Sequence, residues 1–331
     1  MTEKQYGGKT GREGKTDTKP KTQVTTPKTM EKKDKKEKTT KETSSDMAHS
    51  FKKANEIAEE IREFTKKIVK KDIPLLEIAE KIEAEIIRLG GKPAFPTNLS
   101  INEIAAHYTP SYDDKTLARG LLKVDFGIQV NGWTSDNALS IDLENSEENK
   151  KLILTAEIAL EKAIDLIKRE KEKTSLSEIG KEIQTSIEKE GFKPVVNLSG
   201  HEIDLYDLHA GQTIPNVDNK TNAEIGKGIK AIEPFSTTGV GKVHDGNFSG
   251  IYSLIDGKTP RMLKAREVLE FIAEEYQTLP FCSRWIHKKF GSIGILALKQ
   301  LEENGNLHHF AQLIESSRGK VAQAERTILI D

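Results

Sequence analysis

The chain has 331 residues, 35% hydrophobic and 31% charged, enough for one large core or two modest ones. A formal net charge of -1 removes any global case for binding nucleic acid or an anionic membrane, and a single cysteine, Cys282, excludes an intramolecular disulfide and a thiolate metal site. No stretch approaches the ~18 apolar residues of a membrane span and the N-terminus lacks the apolar core of a secretory signal, so a cytoplasmic protein is expected.

Residues 1–46 hold 13 Lys+Arg against 8 Asp+Glu and almost no large apolar side chains. Such a segment cannot bury enough surface to offset its ordering entropy and reads as a disordered basic tail. Met47 follows it, as the start of the folded unit (47–331) or an alternative start codon. Ala54, Ile57, Ala58, Ile61, Phe64 and Ile68 then recur at helical spacing. Pro74 suits the first turn of a second helix, whose stripe runs from Leu75 through Ile78, Ile82 and Ile86 to a Gly90-Gly91 stop. Short strands and turns begin near Phe95. Helix returns over 150–173, with Leu154, Ile158, Ala159 and Ala163 on one face, and over 175–189, where Ser175 and Glu178 have capping-box spacing. Strand texture resumes through VVNLSGHEIDLYDLHAG and AIEPFSTTGVGKV. A helical block over 259–316 and a last strand, ERTILI, follow.

Asn131-Gly132 is a strong two-residue hairpin signal. With those residues at the turn, Val130 pairs with Trp133 and Asp136 lies opposite Gly127. Gly127 shares its parity with Asp125, so both aspartates point to one face, as diagonal neighbours about 7–8 Å apart. Two carboxylates on a buried face repel unless a cation or proton lies between them. On an outer face they would be solvated charges, and the pattern alone leaves both alternatives open. His201, Glu233 and Glu325 are further metal-capable groups beside glycine or in short apolar strands. Four carboxylates and one imidazole suit Mn, Fe(II) or Co, with Zn a further candidate. Two such ions about 3.5–4 Å apart would support metal-assisted hydrolysis.

Five blocks in order, AFPTNLSINEIAAHYTP, KVDFGIQVNGWTSDNA, NLSGHEIDLYDLHAGQTIPN, AIEPFSTTG and AQAERTI, together resemble the methionine aminopeptidases of the pita-bread fold. The long interval between Glu233 and Glu325, with PRMLKAREVLEFIAEEYQTLPFCSRW inside it, is similar to the helical insert of type 2 enzymes, the archaeal ones above all. The resemblance implies an α/β (α+β) fold: a curved antiparallel sheet covered by helices, in two similar halves, with that insert. It implies two divalent metal ions held by Asp125, Asp136, His201, Glu233 and Glu325, with Glu233 also moving a proton. His107 would contact the scissile amide nitrogen and His209 the developing oxyanion. Phe95, Leu208, Ile251, Phe310 and Leu313 would line a methionine pocket. The implied partners are nascent polypeptide N-termini, met by a monomer, with the basic tail either a ribosome contact or an inert solubilising segment; no membrane and no specific nucleic acid is expected. This chain departs from the pattern at Ala324 and Arg326, which flank Glu325 where Phe and His are usual, and at Gln129, where His is frequent. Rival expectations are a prolidase or aminopeptidase P, and a metal-free binding homologue of the same fold.

Overall fold

The computed structural model describes residues 31–331, with side chains from Asp46 on. Contacts divide the chain into Met1–Ser44 and Ser45–Asp331, and the core and cavity described next belong to the second unit. The tail read over 1–46 lies outside the described residues up to position 30. From Glu31 the backbone is helical, in a run rich in Lys and Glu, both good helix formers.

Helices α1 (Glu31–Ile68) and α2 (Leu75–Arg88) come first. Pro74 stands at the N-cap of α2, and Gly90 ends it with a φ of 87° that a side chain would resist. Short strands β1 (Lys92–Pro93), β2 (Asn98–Ile101) and β3 (Ile104–Ala106) lead into a long hairpin, β4 (Leu121–Val130) and β5 (Trp133–Asp142). A second helix pair follows, α3 (Glu147–Glu170) and α4 (Leu176–Lys189), then β6 (Lys193–Pro194) and a second hairpin, β7 (Ser199–Asp204) and β8 (Asp207–Pro215). Strands β9 (Gly228–Ile232), β10 (Phe235–Thr237) and β11 (Val243–Leu254) precede helix α5 (Leu263–Glu275), strand β12 (Phe281–Cys282) and helices α6 (Ser283–Phe290) and α7 (Ser292–Glu303). Strands β13 (Leu307–Glu315), β14 (Val321–Gln323) and β15 (Glu325–Ile330) close the chain.

The sequence of helix pair, short strand and hairpin thus occurs twice, and the two hairpins meet in one antiparallel sheet of order β1-β4-β5-β15-β9-β7-β8, with β2 also on β4. The C-terminal strand β15 joins the halves. Leu122, Val124, Phe126 and Ile128 pack on α1 and α2, while Ile214, Ile232 and Ile330 pack on α3 and α4. Side chains alternate across a strand, so the residues between these apolar ones face the opposite, concave side. A smaller sheet of order β12-β11-β13-β3 stands beside it, and α5–α7 form their own apolar cluster upon it.

Three expectations require correction. Helix α3 buries Leu152, Ala156, Ala159, Leu160 and Ala163, and leaves Leu154 and Ile158 exposed; the alanine stripe permits a closer approach to the sheet. Ser175 is the N-cap of α4 but makes no side-chain cap bond. Instead it bridges to Glu224, and the Leu176 N–H donates to the Ala223 carbonyl. The helical block ends at Glu303, because 307–315 is strand β13, paired along β11.

Candidate metal centre

The β4–β5 ladder runs in the register set by its turn. Asn131 and Gly132 both have positive φ, 52° and 85°, as a type I′ turn requires. Val130 pairs with Trp133, Gly127 with Asp136, and Asp125 with Ala138. Both aspartates therefore point into the concave side. Strand β15 brings a third acid, since Glu325 also lies opposite Ala138; Asp125, Ala138 and Glu325 form one rung whose central methyl leaves space between two carboxylates. Thr327 fixes the next position. Its hydroxyl accepts from the Asp136 N–H at 2.8 Å and donates to the Asp136 carbonyl at 2.7 Å. Ala231 pairs with Thr327 on one side and with His201 on the other, which carries the imidazole into the same layer. Glu233 follows β9 directly.

The groups converge. His201 Nε2 lies 3.4 Å from Asp136 Oδ2 and 3.9 Å from Glu233 Oε1, and ligand atoms of Asp136, His201 and Glu325 lie within 4.8 Å of one another. Burial first, and then the Asp136 charge, holds the Asp125, Glu233 and Glu325 carboxyls well above the usual carboxylate range. Gln323 Nε2 donates to Glu325 Oε2 at 3.3 Å. Asp125 Oδ1, Asp136 Oδ1 and Glu325 Oε1 are buried without a hydrogen-bond partner. Orphaned acceptors of this kind cost about 1–3 kcal/mol each, unless a cation takes their lone pairs. His201 Nδ1 faces the Glu202 carbonyl at 3.4 Å, which leaves Nε2 toward the acids, the orientation common in metal-bound histidine. The donor set thus fits divalent metal.

All five groups line a cavity of about 210 Å³, smaller than the ~300–1,000 Å³ of typical small-molecule clefts and suited to one residue of a chain. Phe95, Leu208, Ile251, Phe310 and Leu313 line it as well, with Pro280. Gly127 permits the Phe95 ring to lie over the sheet, since a Cβ there would meet Phe95 Cε1 at 2.3 Å. His107 and His209 complete the wall. His107 adopts a left-handed φ of 63°, a strained conformation that clusters at functional sites, and its Nδ1 is 3.1 Å from the Ala311 carbonyl. Burial lowers its pKa. The His209 ring meets His201 at 4.5 Å; crowding by the cavity walls and then by the His201 and His107 imidazoles lowers its pKa too, although the side chain keeps an exposed edge.

Every site residue singled out from the sequence lies on this cavity. Sequence reasoning missed Asn98, which pairs with Asp125, as well as Gln323, Thr327 and Pro280. Gln323 and Thr327 flank Glu325 two residues to either side, and that spacing is the signal that points to them. The departures from the family pattern sit elsewhere. Arg326 pairs with Glu161 of α3 at 2.7 Å, Ala324 packs in the helix-side core, and Gln129 Oε1 accepts from the Gly132 N–H of the hairpin turn at 2.9 Å. Among the described residues no helix is long and apolar enough to cross a membrane.

Comparison with known proteins agrees with this chemistry. The family model "Metallopeptidase family M24" matches residues 49–287. A methionine aminopeptidase of Pyrococcus abyssi is 43% identical over 84% of this chain and 94% of its own length, and one of Methanocaldococcus jannaschii is 42% identical over 84% and 93%. Among solved structures, a Thermotoga maritima methionine aminopeptidase shares the fold with a TM-score of 0.60 at 23% identity, covering 85% of this chain and 92% of that one. A thermophilic Arx1 shares it at 0.73 with 15% identity, covering 86% and 88%. The chain belongs to metallopeptidase family M24, on its methionine aminopeptidase branch.

Proposed function

We propose that Asp125, Asp136, His201, Glu233 and Glu325 hold two divalent ions, and that the chain removes the initiator methionine from nascent cytoplasmic proteins with a small second residue. One observation carries this reading: four carboxylates and an imidazole, with orphaned oxygens, share a cavity of about 210 Å³ with an apolar wall that includes Phe95, Leu208, Ile251, Phe310 and Leu313. The relatives named methionine aminopeptidase support the substrate class.

Divalent ions at such a site polarise a carbonyl and make water acidic enough to react near neutral pH. Glu233, on the cavity wall beside His201, takes the proton from the attacking water and delivers it to the leaving amine. With His107 Nδ1–H donating to Ala311, Nε2 is left to accept from the scissile amide N–H. His209 donates to the carbonyl oxygen as negative charge develops there. The apolar wall favours a flexible thioether over a side chain stiff at χ1. The oxygen-rich donors suit Mn, Fe(II) or Co, with Zn as a further candidate. The excess of lysine in the tail favours weak, salt-dependent contact with ribosomal RNA, and the chain acts as a monomer.

The test is hydrolysis of Met-Xaa-Ser tripeptides after chelation and separate add-back of each metal. Restored cleavage of Met-Ala-Ser, with Met-Lys-Ser and Leu-Ala-Ser poor substrates, is expected. Faster cleavage of Leu-Ala-Ser than Met-Ala-Ser would leave a general metalloaminopeptidase.

A further inference from the structure

Glu83 lies in the apolar stripe of α2, between Ile82 and Ile86, and is only 7% exposed. An acid there is unexpected unless it is paired, and this one is fully engaged. Its Oε1 accepts from the Thr97 N–H at 3.2 Å and Arg284 Nη2 at 2.8 Å; its Oε2 accepts from Arg284 Nη1 and Trp285 Nε1, both at 2.8 Å. Arg284, in the first turn of α6, also donates through Nε to the Pro110 carbonyl at 3.0 Å. Thr109 Oγ1 closes the ring by donating to the Thr97 carbonyl at 2.9 Å.

Each segment in this network reaches the cavity. Thr97 lies two residues past Phe95, Pro110 three past His107, and Arg284 four past Pro280. Strand β12, which ends two residues before Arg284, pairs Cys282 with Ile251 of the pocket wall. Neither Glu83 nor Arg284 lines the cavity itself. Stability is a poor explanation for the pair, since desolvating two charges offsets most of their attraction and apolar replacements are often neutral or better. A fork-on-carboxylate contact does fix distance and angle between the elements that carry it. The left-handed His107 needs such surroundings, because a strained backbone persists only where its neighbours over-determine it.

We propose that Glu83 and Arg284 are a positioning pair that holds Phe95, His107 and Pro280 at fixed separation, and so sets methionine selectivity from outside the cavity. This rests on the function proposed above. The test compares wild type, Glu83→Gln, Arg284→Lys and Arg284→Met as full-length, metal-loaded protein. The readouts are kcat and KM for Met-Ala-Ser and Leu-Ala-Ser, bound metal per chain, and the thermal midpoint. A misplacement of about 1 Å costs on the order of 10²-fold. A loss of that order in kcat/KM for Met-Ala-Ser is expected, with a raised KM, a smaller Met over Leu ratio and unchanged metal content. Lysine should not rescue, because it lacks the guanidinium fork. Wild-type KM and Met over Leu ratio in Glu83→Gln and Arg284→Lys, with only a lower thermal midpoint, would overturn the proposal. Should Arg284→Met fail to fold, those two milder variants decide. A metal-loaded wild type that leaves Met-Ala-Ser uncut is a separate outcome, which removes the functional reading and the pair's role with it.

Discussion

Glu315, at the end of β13, is as buried as Glu325 on β15, 0% against 1% exposed, yet the two carboxylates live under opposite electrostatics. Glu315 accepts from the N–H groups of Gly241, Ser317 and Gly319 at 3.1, 2.7 and 2.9 Å, and from the Ser317 hydroxyl at 2.8 Å. Burial pushes its carboxyl up, but the bonds from Gly319, Ser317 and Gly241 together hold it below the ordinary range. Gly239 makes room for this clamp, since a Cβ there would lie 2.2 Å from Glu315 Cδ. Glu325 has one amide donor, Gln323, and three neighbouring acids, and its carboxyl is held well above that range. A buried carboxylate that serves the fold is surrounded by donors from the chain. In the cavity, oxygens are left open on several acids at once, and that is the arrangement a cation completes.

Activity separates the two kinds of buried acid most sharply. Asp136→Ala should abolish turnover of Met-Ala-Ser, by several orders of magnitude, with loss of bound metal and, compared with wild type in chelated protein, little change in thermal stability, because a coupled site loses the water it activates. A variant that keeps substantial turnover but melts early would place Asp136 with Glu315 among structural acids. Smaller effects are expected at the histidines. His107→Ala and His209→Ala should each lower kcat by about 10²–10³ while keeping metal; metal loss in either would make it a ligand rather than a partner of the substrate.

The pH dependence of stability should carry opposite signs in the two regions. In chelated protein the cavity acids bind protons more tightly folded than unfolded, so stability falls as pH rises from the unfolded carboxylate pKa of ~4 through the raised folded values. Asp125→Asn should flatten that fall, as read from thermal midpoints across pH. Glu315 has the reverse sense: its contribution is present above ~4 and lost as pH falls through the depressed folded pKa. Glu315→Gln should cost about 1–3 kcal/mol near neutral pH by replacing one of the two acceptor oxygens with an NH2 that can only donate, and should weaken the acid limb. An unchanged denaturation midpoint in that variant would show that the clamp does not stabilise the fold.

The hairpin that carries Asp125 and Asp136 was legible in the sequence because a two-residue turn sets every rung of its ladder at once. The rest of the layer was not. Glu325 meets Ala138 only because β15 inserts between β5 and β9, a long-range pairing decided by the whole sheet. Helix α3 carries apolar residues at 152, 153, 154, 156, 158, 159 and 160, so periodicity left its buried face ambiguous and packing chose the alanine side. In LHHFAQLIE two adjacent histidines blur the alternation, and bulges in β11 let the strand pair nonetheless. Glu83 is one more glutamate on a helix until Arg284 arrives from two hundred residues away.

The open oxygens are tested most directly by metal binding itself. Chelated wild type and Asp136→Asn would be titrated with Mn(II) or Co(II) at neutral pH, with bound ion per chain and thermal midpoint as readouts. Wild type should take up two ions per chain and melt at a higher temperature, and Asp136→Asn should lose uptake and the shift together. A wild type that binds no ion at saturating metal, or an Asp136→Asn protein that binds as wild type does, would contradict the assignment of this cavity as a metal centre.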